Sequence, residues 1–210
     1  MENPQIINLS IMIDDYVQFK TDLALAKRVF DVRSQEYNGI SDKISRYELI
    51  AIYEGVSRDL NKAIQTAYDK YKEAESVYTG LSERASGFEK SKKDVIADNM
   101  EGRSSEDVRT LTEMIDDYTS FKVALVDAQA NLGLREDQQE RLSETLSYYD
   151  GIALYEGVIR DYYADLQYLL TEKRTTKEKI AELEPQAESF EKTRQETLAE
   201  IFSGTPKQKQ

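Results

Sequence analysis

Slid along itself by 102 positions, the chain repeats. Met12–Lys20 reads MIDDYVQFK and Met114–Lys122 reads MIDDYTSFK. Ala51–Asp59 reads AIYEGVSRD and Ala153–Asp161 reads ALYEGVIRD, while Phe88–Lys90 and Phe190–Lys192 both read FEK. One offset serves all three blocks. A period this long means one supersecondary unit used twice, rather than a stack of many short units. The stretch NMEGRSSED at 99–107, with its Gly and paired Ser, is the natural joint. The expected organisation is a first helical repeat over 1–102, a second over 103–204, and a disordered tail at 205–210.

Within each copy the apolar residues recur at helical spacing. In the first arm Phe19, Leu23, Ala26, Phe30, Arg33, Tyr37, Ile40, Ile44 and Tyr47 alternate steps of four and three. Leu60, Ile64, Ala67, Tyr71, Ala74, Tyr78, Leu81, Ala85 and Phe88 do the same in the second arm, and the second repeat keeps both patterns. These are coiled-coil-like seams. Lys173 and Thr176 interrupt the last of them, so packing is expected to loosen there. Between the arms the rhythm slips to steps of three at Tyr47, Ile50, Tyr53 and Val56, and again at Tyr149, Ile152, Tyr155 and Val158. A seam cannot pass such a slip unchanged.

Paired as an antiparallel hairpin, Phe19 faces Phe88, Ala26 faces Leu81, Arg33 faces Ala74 and Tyr47 faces Leu60, all mirrored about Tyr53 and Glu54. Tyr-Glu-Gly then becomes the tip of each hairpin, where Gly supplies the backbone freedom that a reversal needs. The expectation is an all-α, elongated protein of two tandem hairpins, each arm about 60 Å long. The alternative is two three-helix, spectrin-like units with breaks near Asn38-Gly39 and Gly80. The matching Glu140 and Arg141 are good helix formers and disfavour it. Pro185, close to the position matching Gly80, favours it.

Composition narrows the function. The chain has no Cys and no His, which removes thiolate chemistry and the commonest general base and metal ligand. A net charge of −12 opposes nucleic acid and anionic membrane surfaces, both of which require clustered cations. No stretch reaches the length of a membrane span, and the N-terminal sequence lacks a basic region followed by an apolar run. The di-iron bundle motif needs His, and neither a phosphate loop nor a nucleophile motif occurs. No enzymatic activity, cofactor or metal is expected, and the expected location is the cytoplasm, or export without a classical signal peptide.

The remaining candidates are surfaces. Asp14-Asp15 and Asp116-Asp117 point about 100° apart on a helix and cannot grip one ion together. Near a helix start they would suit its dipole, or they could form a docking patch with Lys20 and Lys122. Arg33 and Arg135 sit on seam positions, where they would set register or recognise a ligand. Arg58-Asp59 and Arg160-Asp161 follow the tips, as local ion pairs or as part of a docking surface with Tyr53, Glu54, Tyr155 and Glu156. Most of the 14 Tyr residues fill seams, but Tyr148-Tyr149 and Tyr162-Tyr163 bracket the second tip as a candidate exposed aromatic patch. Aromatic enrichment is typical of protein interfaces.

A hundred-residue helical hairpin with an aromatic-x-Gly tip, here Tyr53-Glu54-Gly55 and Tyr155-Glu156-Gly157, resembles the WXG-motif proteins of type VII secretion systems. That resemblance implies a four-helix bundle made from two hairpins, and a secreted substrate or escort protein. Tyr stands where the family places Trp, and the C-terminus lacks the family's Tyr-x-x-x-Asp/Glu tail signal. The residues themselves favour a non-enzymatic scaffold or adaptor whose partner is another helical protein or a second copy of the chain.

Overall fold

The computed structural model describes residues 3–47, 54–149 and 156–203, with the side chains at 47, 54–58, 149 and 156–158 left aside. All of the regular structure in these residues is helical: α1 (Pro4–Tyr47), α2 (Glu54–Asn99), α3 (Ser105–Tyr149), α4 (Glu156–Leu183), a 3₁₀ turn (Glu184–Gln186) and α5 (Ala187–Ser203). The fold is all-α. Tyr53 and Tyr155, the side chains of Glu54, Arg58, Tyr149 and Glu156, and the tail at 205–210 lie outside the described residues. Gly55 and Gly157 are the second residues of α2 and α4.

One sequence expectation changes. α1 runs unbroken through Asn38-Gly39 and α2 through Gly80, so the three-helix alternative does not hold. Both glycines have open space where a Cβ would stand, and neither takes a positive φ. Helix simply continues through them. Pro185 does leave a mark, because a ring without an N–H cannot join the helical ladder. One 3₁₀ turn separates α4 from α5 there, and its flanking residues Leu183 and Ala187 keep helical dihedrals.

Between α2 and α3 the chain turns at 100–103. Gly102 adopts φ +82°, a conformation that side chains penalise, and the Arg103 amide donates back to the Met100 carbonyl at 3.0 Å. Ser104 and Asp107 then cap α3 reciprocally. The Asp107 amide donates to Ser104 Oγ at 3.1 Å, and the Ser104 amide donates to Asp107 Oδ2 at 3.2 Å.

The helices form two compact units. The first comprises 1–25, 80–127 and 180–210, and the second comprises 26–79 and 128–179. Each therefore draws on both repeats. In the first unit Leu9, Met12, Ile13 and Tyr16 form one buried cluster with Leu111, Met114, Ile115 and Tyr118, their equivalents one repeat later. Leu9, Ile13, Leu111 and Ile115 are fully buried, each contributing roughly 1.5–3 kcal/mol relative to exposure. Phe19 stacks on Phe88 at 3.9 Å and Phe121 on Phe190 at 4.4 Å.

The edges of this cluster are tied in the same doubled way. Tyr16 donates to Glu89 at 2.7 Å, and Tyr118 donates to Glu191 at 2.6 Å. Burial, reinforced by these carboxylates, pushes both hydroxyls above the ordinary tyrosine value. For Glu89 burial alone would raise the carboxyl, but hydrogen bonds from Tyr16 and Lys20 prevail and hold it below its usual range.

If α1 and α2 are continuous at the two proposed breaks, Gly39→Ala and Gly80→Ala should each raise stability by up to about 1 kcal/mol, the helix-propensity difference. Chemical denaturation reads the sign. A loss of stability in either variant would mean that the chain bends there.

Candidate functional site

The structure separates the candidate residues into three groups. Asp14 and Asp116 take part in ion pairs that cross between repeats. Arg194 reaches Asp14 at 2.7 Å, and Lys92, one repeat earlier in sequence, reaches Asp116 at 2.5 Å. Lys92 and Arg194 also lie over the rings of Tyr16 and Tyr118 at 4.7 and 5.3 Å. The expected dipole role of these acids is corrected: they lie about three turns into α1 and α3, and the dipole acts only within the first turn. Asp15 and Asp117 are exposed beside them.

The aromatic patch around the second tip is only partly exposed. Tyr148 is 66% exposed and Tyr163 55%. Tyr162 is buried, however, with Lys43 4.9 Å over its ring. Adjacent helix positions face about 100° apart, so one of the pair turns inward. Burial, with Asp165 and Asp59 nearby, raises its hydroxyl above the ordinary value. Asp161 pairs with Arg46 of α1 at 3.1 Å instead of with its neighbour Arg160, which is exposed.

The third group forms the polar centre of the second unit, which the sequence pattern only touched. Arg33 and Arg135 sit here as seam residues, surrounded by Gln35, Glu36, Gln138 and Arg141. Arg141 reaches Glu36 at 2.9 Å and Asp137 at 3.1 Å. Lys43 pairs with Asp165. Among these helices lies an open cavity of about 710 Å³, walled by Leu60, Ala67, Leu142 and Leu169 and edged by polar side chains.

The seam interruption at Lys173 and Thr176 does not loosen the packing as expected. Thr176 is buried, and its hydroxyl accepts from the equally buried Asn131 at 2.9 Å. Lys173 donates to Gln139 at 2.6 Å. One repeat earlier the same places hold Val29 with Ala74 and Tyr37 with Tyr71, the tyrosines stacked with centroids 5.9 Å apart. Polar pairs have replaced apolar ones position for position.

Among the described residues no three Asp or Glu side chains gather as a metal ion would require, and no helix is long and apolar enough to cross a membrane. Comparison with protein-family models, with curated proteins and with solved structures returns no match.

The Asn131–Thr176 pair has a sharp energetic signature. Thr176→Ala strands the buried Asn131 amide, whose Oδ1 already lacks a partner, and should cost about 1–3 kcal/mol. Adding Asn131→Val places the residues of the first repeat, Val and Ala, at both positions and should recover most of that loss. A double mutant as unstable as the sum of its parts would contradict the pairing.

Proposed function

We propose that the protein is a non-enzymatic helical adaptor that binds another helical protein through the outer face of its first unit. One observation carries this reading. Ile11 is 56% exposed on α1, with Ile7 one turn before it also exposed, and it borders a groove of about 350 Å³ between α1 and α2.

Phe88 and Val95 form the apolar floor of the groove, and Asn8, Asp15, Ser91 and Asn99 supply a polar rim. An apolar centre within a polar rim suits protein recognition. The inter-residue spacing matches the way an amphipathic partner helix presents anchors one turn apart. Exposed apolar side chains on a chain of net charge −12 are not explained by solubility, which the charge alone supplies. The absence of His and Cys is consistent with a role carried by surface rather than by chemistry. A second copy of the chain is the other occupant of matching character.

A photo-crosslinking side chain placed at Ile11, and separately at the exposed Glu83 of the same unit, tests the assignment in the native cell. The expected result is one dominant adduct at Ile11, absent at Glu83 and removed by Ile7→Asp. Identical adduct patterns at the two positions would contradict it. An adduct of twice the chain's mass would identify a second copy as the occupant.

A further inference from the structure

Arg33 and Arg135 hold the same place in the two repeats, but their neighbours differ in charge. Arg33 donates to Glu36, three residues on, at 2.8 Å, and approaches Asp137 of the second repeat at 3.8 Å. Arg135 donates to Gln138, also three residues on, at 2.8 Å, and to Gln35 of the first repeat at 3.0 Å. Gln138 occupies the position of Glu36, and Gln35 that of Asp137. The geometry is thus repeated while both carboxylates are exchanged for amides.

The consequence is a buried charge without a counter-ion. Arg135 is 4% exposed, and a guanidinium does not deprotonate in proteins. Among the described residues no carboxylate stands within ion-pairing distance of it, and its Nε has no hydrogen-bond partner. Tyr168, with its ring 5.6 Å away, offers only a partial substitute. An uncompensated buried cation is among the costliest arrangements a core can hold.

This residue borders a cavity. Arg135 and Arg141 both line the 710 Å³ cavity of the second unit. Arg141 is already paired with Glu36 at 2.9 Å and with Asp137 at 3.1 Å, although one of its terminal nitrogens, sealed from solvent, makes no hydrogen bond. Six cationic and four acidic side chains line the cavity, a positive balance in a chain of net charge −12. Its volume falls within the range of small-molecule sites. Leu60, Ala67 and Leu169 are buried apolar walls.

The geometry points to a binding site for a small amphipathic organic anion. Its oxyanion head sits at Arg135, and its apolar body lies along Leu60, Ala67, Leu142 and Leu169. The head supplies Arg135 with the negative charge that Glu36 and Asp137 supply to Arg33 and Arg141. Carboxylates and phosphate monoesters both fit a guanidinium fork, and their relative affinities separate the two sources.

Calorimetric titration of the full chain with octanoate, octyl phosphate, octanol and octyltrimethylammonium tests the site, with the Arg135 Nε–H resonance as a local reporter. At least one anion should saturate a single site and shift that resonance. Octanol and the cation should bind at least about tenfold more weakly. Gln138→Glu gives Arg135 the carboxylate that Arg33 has. It should raise the melting temperature without ligand and weaken the anion at least about tenfold. Arg135→Gln should weaken it similarly, and if that variant fails to fold, Gln138→Glu decides alone. Octanol binding as well as the anions, affinity unchanged by Gln138→Glu, or no saturable anion binding up to about 10 mM would each overturn the site.

Discussion

The rest of the structure depends on the burial of one short block, twice. Leu9, Met12, Ile13 and Tyr16 make an apolar face on α1, and Leu111, Met114, Ile115 and Tyr118 make the same face on α3. An amphipathic helix cannot shield such a face alone. The two copies share one cluster, and four of its members are sealed from solvent. The polar border is equally reciprocal: the cation late in each repeat lands on the first member of the other's Asp-Asp pair. Contacts in which i meets j and j meets i are those of an isologous interface, here built within a single chain.

That reciprocity holds one unit to its duplicated form while the other departs from it. In the first unit Tyr16 and Tyr118, Glu89 and Glu191, and Phe88 and Phe190 keep both identity and contact. In the second unit the places of Tyr37 and Tyr71 become Gln139 and Lys173, and those of Val29 and Ala74 become Asn131 and Thr176. A core already secured elsewhere tolerates such exchanges, because each new polar group finds a partner. Among the described residues the buried side-chain atoms without a partner, Asn131 Oδ1, Arg135 Nε and one terminal nitrogen of Arg141, gather in that second unit. Kept contacts and exchanged ones thus fall in different places along the same helices.

Much of this architecture is legible in the residues. The four-three spacing identifies the helices, because apolar stripes must face one side, and Phe19 and Phe88, mirrored in sequence, do stack. Gly102 and the Ser104–Asp107 cap are readable in the joint because turn and cap chemistry is local. What escapes is chemistry between distant segments. Lys92 and Asp116 are 24 residues apart, and Asn131 and Thr176 are 45 apart, so no periodicity links them. Seam interruptions therefore read as weak points when they are hydrogen bonds, that of Thr176 a buried one. The exchange of Glu36 for Gln138 is visible on aligning the repeats, but its meaning needs the burial of Arg135 and the cavity beside it. Asp14 and Asp116 mislead for a related reason: a carboxylate early in a chain suggests a helix terminus until the helix is seen to begin ten residues earlier.

The reciprocal closure of the repeats is tested most directly by a charge-swap cycle on Asp14 and Arg194. Asp14→Arg and Arg194→Asp should each destabilise the chain, and the double variant, which restores an opposite-charge pair, should regain a coupling energy of about 0.5–3 kcal/mol in denaturant unfolding. Coupling within about 0.3 kcal/mol of zero, the additive behaviour of independent sites, would mean that the end of one repeat does not close on the start of the other.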